Sequence, residues 1–163
     1  MAYKAMIGLA VGAALALSLA MTHQTAFAED PGHTVIAPDA IQWKAAPPTL
    51  PAGAQAAVLY GDPTKEGLFA MRLKLPKGYQ IPPHTHPKPE VVTVISGTAR
   101  LGMGEIADQE TAERLPIGSF FALPAGMPHY AFAEEDTIIQ LNSFGPWSLN
   151  YVRPEDDPRK GTQ

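Results

Sequence analysis

Cysteine is absent from all 163 residues. With no thiol there is no disulfide, no thiolate metal site, no cysteine nucleophile and no lipidated anchor. Charge is sparse too: Asp, Glu, Lys and Arg make up 17%, and the net charge is −4. Lys and Arg form no run or stripe, which argues against a nucleic-acid surface. No internal repeat or second domain is visible. The one stretch with helical character, 106–114, is short and polar and reads as a loop or a single turn. What is present points to a folded β-protein. Hydrophobic residues reach 45%, enough for a core, and 17 prolines and 14 glycines favour short strands joined by turns.

Residues 1–28 have the layout of an export signal. Lys4 supplies the positive start, 5–21 is an uncharged Ala/Leu/Gly-rich run, and Ala26-Phe27-Ala28 precedes Glu29-Asp30. Cleavage is expected after Ala28, giving a periplasmic or secreted protein with no stable membrane insertion. The alternative is an uncleaved anchor, which Gly8, Gly12 and the many alanines make a poor spanning helix. No twin arginine is present, so export is expected in the unfolded state.

Residues 29–55 form a Pro-rich arm, with an edge strand expected around Ile41-Gln42-Trp43 and Trp43 packing on the barrel or on a neighbouring subunit. Strands are then expected over 56–60, 69–75, 90–95, 98–103, 119–123, 129–133, 137–144 and 147–152, each bounded by turn residues. In 69–75, Phe69, Met71, Leu73 and Leu75 share one face. The charged tail, 153–163, is expected to fray. Many short strands at regular spacing indicate an all-β sandwich or barrel.

His84 and His86 are the centre of the functional reading. Side chains at i and i+2 of a strand point to one face, so His-x-His aims two imidazoles at one point. Pro87 and Pro89 bend the chain between, and Glu90 then opens the next strand toward the same place. Such a set suits a borderline divalent ion. A pair of half-exposed histidines on a Pro-rich loop is the plainer alternative.

The frame around these residues resembles the cupin superfamily. Gly78, five residues, His84-Thr85-His86, three residues, Glu90, six residues and Gly97 match its first motif. Gly118, five residues, Pro124-Ala125-Gly126, two residues and His129 match its second, about twenty residues later. The second motif usually ends in Asn four residues beyond its histidine, where this chain has Ala133.

The resemblance covers roughly 56–152. It implies a double-stranded β-helix, or jelly-roll, barrel holding one divalent ion (Fe, Mn, Zn, Cu, Ni or Co) through His84, His86, Glu90 and His129. It also implies positions left for water or a small-molecule substrate, and a homodimer.

Around that set, Gln140 and Asn142 could steady the ligands from behind, or form an ordinary exposed face. Met127, Phe120 and Phe121 could line a pocket, although core packing is the plainer role. Alternation turns Tyr130 away from His129, and Arg72 and Arg100 belong on the outer surface. His33 falls in the arm and is not proposed as a ligand. Two functions fit. One is a metal-dependent dioxygenase, isomerase or lyase, with Glu90 exchanging protons; the other is a non-catalytic ligand-binding or sensing protein.

Overall fold

Apolar and β-branched side chains at every second position bury one face of a strand and leave the other to solvent. The structure, a computed structural model, describes residues 33–160. The expected export signal at 1–28 lies outside the described residues. In chain order the strands are β1 (Lys44–Ala45), β2 (Gln55–Tyr60), β3 (Gly67–Leu75), β4 (Gln80–Thr85), β5 (Glu90–Ser96) and β6 (Thr98–Met103). They continue with β7 (Glu113–Pro116), β8 (Phe120–Leu123), β9 (His129–Ala133), β10 (Thr137–Gly145) and β11 (Asn150–Tyr151).

These strands form two antiparallel sheets, ordered β1-β2-β3-β10-β5-β8 and β11-β4-β9-β6-β7. The core lies between them. Phe69, Met71, Leu73 and Leu75 of β3 point inward as the alternation requires, and Phe69 is 0% exposed. Val92 and Val94 of β5 and Ile139 and Leu141 of β10 join them in the first sheet. Ile81, Ala99, Leu115 and Ala133 close the core from the second. This is the jelly-roll sandwich expected from the strand spacing and the cupin motifs.

The segment between β1 and β2 closes one side of the sandwich. The Ala46 amide donates to the Ala54 carbonyl, 3.1 Å away, and Leu50 enters the core. Two tyrosine hydroxyls, from β11 and from the turn before β4, hold this strap. Tyr151 donates to the Thr49 carbonyl at 2.8 Å, and Tyr79 donates to the Pro51 carbonyl.

Several details differ from the sequence reading. The edge strand is Lys44–Ala45, just after Ile41-Gln42-Trp43. Trp43 packs on the barrel, with the Lys74 ammonium 4.5 Å from its ring. The stretch 106–114 is a loop as expected, but its end belongs to β7, and Arg114 pairs with Arg100 across the ladder. The last strand is two residues long instead of six. The tail is anchored as far as Lys160. Asp157 is buried and accepts from Arg159 at 2.7 Å, and Arg159 reaches the Leu149 carbonyl at 3.2 Å.

Gly97, the last residue of the first motif, has φ +74°. A β-carbon there would press on the Asp136 carbonyl oxygen and lie 2.9 Å from the Thr137 Cα. Strain and clash act together, so Gly97→Ala is expected to cost about 2 kcal/mol or more in urea unfolding. An unchanged midpoint and slope would show that the β5–β6 turn relaxes around the methyl group.

Candidate metal centre

The two sheets meet around four buried polar side chains: His84, His86, Glu90 and His129. His84 of β4 stands directly opposite His129 of β9. His86 follows just beyond β4, and Glu90 opens β5 in the other sheet. The two sequence motifs are also tied by backbone: the Gly126 amide donates to the His86 carbonyl at 2.9 Å. The donors converge. His84 Nε2 lies 3.2 Å from His86 Nε2. Glu90 Oε1 lies 3.0 Å from His129 Nε2, and Glu90 Oε2 lies 3.3 Å from His86 Nε2.

Each imidazole is oriented by a main-chain carbonyl on its other nitrogen. His84 Nδ1 is 2.7 Å from the Pro82 oxygen, His86 Nδ1 is 2.8 Å from Ser148, and His129 Nδ1 is 3.0 Å from Met127. A carbonyl only accepts, so each Nδ1 carries a hydrogen, and the neutral His84 and His86 rings each present a bare lone pair at Nε2. His84 and His86 therefore face each other across 3.2 Å with no hydrogen between them. That contact is repulsive unless a cation sits among the lone pairs. Metal–nitrogen bonds of about 2.1 Å imply neighbouring donors about 3.0–3.4 Å apart, and the observed separations fall in that window. The three histidines could hold a single divalent ion, with the Nδ1 bonds holding each ring in place and the Glu90 carboxylate beside two of the ring nitrogens.

Burial reinforces the neutral state. It pushes the His84 pKa well below its usual value, with His129 and His86 adding to the effect against the Pro82 bond. His86 is also lowered, chiefly by burial, although Glu90 and the Ser148 carbonyl favour its charged form.

A cavity of about 40 Å³ opens onto the four side chains. A larger groove of about 400 Å³, lined in part by Lys74, Ser96 and Asp136, touches none of them, so the chemistry belongs to the smaller space. Among the lining residues that sequence reasoning did not name are Trp147 and Leu50 of the strap. Trp147 stacks on His86, with ring centroids 5.3 Å apart and planes at 18°, and meets Phe69 edge-on. No sequence signal marks either residue, because the contacts join distant parts of the chain.

Several lesser expectations are corrected. Ile139 and Leu141 line the cavity, so Gln140 and Asn142 lie on the opposite face of β10. Gln140 accepts from Arg72 Nε at 3.1 Å on that face, away from the ligands. Phe120 is 62% exposed and Met127 is 37% exposed, so neither lines the pocket nor fills the core; Phe121 is the member of that group that lines the cavity. Tyr130 points away as expected, its hydroxyl donating to the Asp108 carbonyl at 3.2 Å. Arg100 pairs with Glu134 outside the cavity.

The jelly roll and its two motifs give this chain the cupin fold. A family model described as a domain of unknown function, DUF4437, matches residues 33–150, and the chain belongs to that family. Germin-like protein subfamily 2 member 1 of Arabidopsis thaliana is 37% identical over 65 residues, 39% of this chain and 30% of its own length. The chain thus spans less than a third of that relative. Among solved structures, the polyketide cyclase RemF from Streptomyces resistomycificus superposes with a TM-score of 0.64 at 16% identity, over 78% of this chain and 90% of its own. A proposed acetylacetone dioxygenase from Methylibium petroleiphilum PM1 gives 0.61 at 18% identity, over 79% and 87%. At these identities the likeness is one of fold.

Proposed function

We propose that this chain is an exported metal-dependent cupin that binds one divalent transition ion through His84, His86, Glu90 and His129 and acts on a small organic molecule. The observation that carries it is the trio of Nδ1–carbonyl bonds, which leaves three Nε2 atoms and a carboxylate converging on one point. A bound divalent ion supplies Lewis acidity toward a substrate oxygen, or a site for dioxygen. The chain supplies the rest. His84 and His86 stay neutral, the apolar walls exclude water, and Glu90 is the one acidic group placed to exchange a proton with a molecule in the cavity. RemF and the proposed acetylacetone dioxygenase support a reaction on a small organic substrate through fold alone.

A second reading is favoured by the small cavity and by the lack of any acid–base side chain in it beyond the four candidate ligands: a binding or sensing protein with no turnover. The two separate by experiment. Turnover that stops on chelation and returns with a single added metal is the expected result. A broad substrate screen with none supports the binding protein.

Export rests on the layout of residues 1–28 and is tested by N-terminal sequencing of the mature protein, with Glu29 expected first. Among the described residues no helix is long and apolar enough to cross a membrane. We place a homodimer contact on the outer face of the first sheet, where Leu68 and Phe144 are exposed side by side.

A further inference from the structure

The walls of the metal cavity point to the kind of molecule it takes. Four of its lining side chains are the candidate ligands; the other eleven are Ala, Val, Leu, Ile, Phe or Trp. Neither lysine nor arginine lines it. Arg72 is held by Gln140 on the outer face, Arg100 and Arg114 by Glu134, and Arg159 by Asp157. A divalent ion with three neutral imidazoles and one carboxylate carries one net positive charge. A ligand bringing a single negative charge to the ion is therefore matched. A second negative charge on the same ligand would be buried against leucine and isoleucine with no partner.

One polar hydrogen among the lining residues has no partner. Trp147 Nε1 is buried and makes no hydrogen bond, while its ring lies flat on His86. An unpaired buried donor is costly, and an acceptor atom on a bound ligand would relieve it.

We infer that the site takes a short molecule with one oxygen-donor end, neutral or singly negative, on an apolar body, and that it rejects dicarboxylates, sugar acids and phosphates. The donor end faces the ion beside Trp147, and the body lies against Leu50, Ile81 and Leu101. The inference rests on metal binding at these four side chains.

Butanoate and succinate test it, since they share a four-carbon chain and differ by one carboxylate. The full chain is loaded with cobalt(II), and its visible spectrum is titrated with each probe. Butanoate is expected to bind about tenfold more tightly than succinate or better. Trp147→Phe, which keeps the ring against His86, is expected to hold one cobalt per chain and to bind butanoate about fivefold more weakly. Equal or tighter binding of succinate overturns the inference, as does a spectrum that butanoate never changes. An unchanged butanoate affinity in Trp147→Phe overturns the role of the tryptophan. Failure of the unaltered chain to hold one cobalt is a separate result: it removes the metal reading on which the inference stands.

Discussion

In protein carrying His84→Ala together with His86→Ala, bound metal is expected to fall from one ion per chain to almost none. Losing a residue that merely orients a ligand costs about 10- to 100-fold in affinity, so losing two direct donors should cost on the order of a thousandfold or more. The double change also removes the His84–His86 lone-pair contact. The metal-free protein should therefore still fold, with the β-sheet circular dichroism of the unaltered chain. Elemental analysis after purification from the native compartment reads the metal. Gln140→Ala with Asn142→Ala is the matched control and should keep one ion per chain, because those residues sit on the far face of β10. Equal metal in the histidine double variant would sink the ligand assignment; loss of metal in the control would show that the outer face supports the site.

That control also shows where sequence reading stopped. The pattern Phe69-x-Met71-x-Leu73-x-Leu75 fixes the inward face of β3 by itself, since the intervening residues include Arg72 and Lys74. The strand Thr137 to Phe144 has no such clean parity: Ile138, Ile139 and Leu141 are all apolar. Its inward face is set by its neighbours, through the pairing of Ile139 with Leu73 and Leu141 with Met71. Phe120 and Phe121 pose the same problem, and pairing with β5 turns Phe121 inward.

The four converging donors were legible because motif spacing is local and the two segments are tied by one backbone bond from Gly126 to His86. Trp147 and Leu50 were not, because only the closed fold brings them to the cavity. The anchored tail was misread because Asp157 and Arg159, charged and terminal, look solvated until the Leu149 carbonyl is in place.

Acidification is expected to unfold the metal-free protein, and the sign follows from the two depressed histidines. His84 and His86 have folded-state pKa values below the ordinary value of about 6.5, chiefly through burial. Below that pH the unfolded chain takes up protons at both rings while the folded chain does not. The unfolded state then binds more protons, so stability falls as pH falls. Each such group contributes about 1.4 kcal/mol per pH unit, and the pair up to about 2.7 kcal/mol per unit. Glu90 beside His86 opposes part of this, which makes His84 the stronger contributor. Between pH 7.5 and the ordinary histidine value the two rings add almost nothing. The steep region lies below it and ends only where the folded-state rings themselves protonate. Urea unfolding of metal-free protein at a series of pH values reads the slope directly. The His84→Ala, His86→Ala variant should lose most of it, whatever its stability at neutral pH. A slope unchanged in the double variant would place the acid sensitivity in other groups. The same neutrality protects the site when metal is present: protons compete for Nε2 only below the depressed pKa values, so bound metal should persist to a lower pH than an exposed pair of histidines would allow.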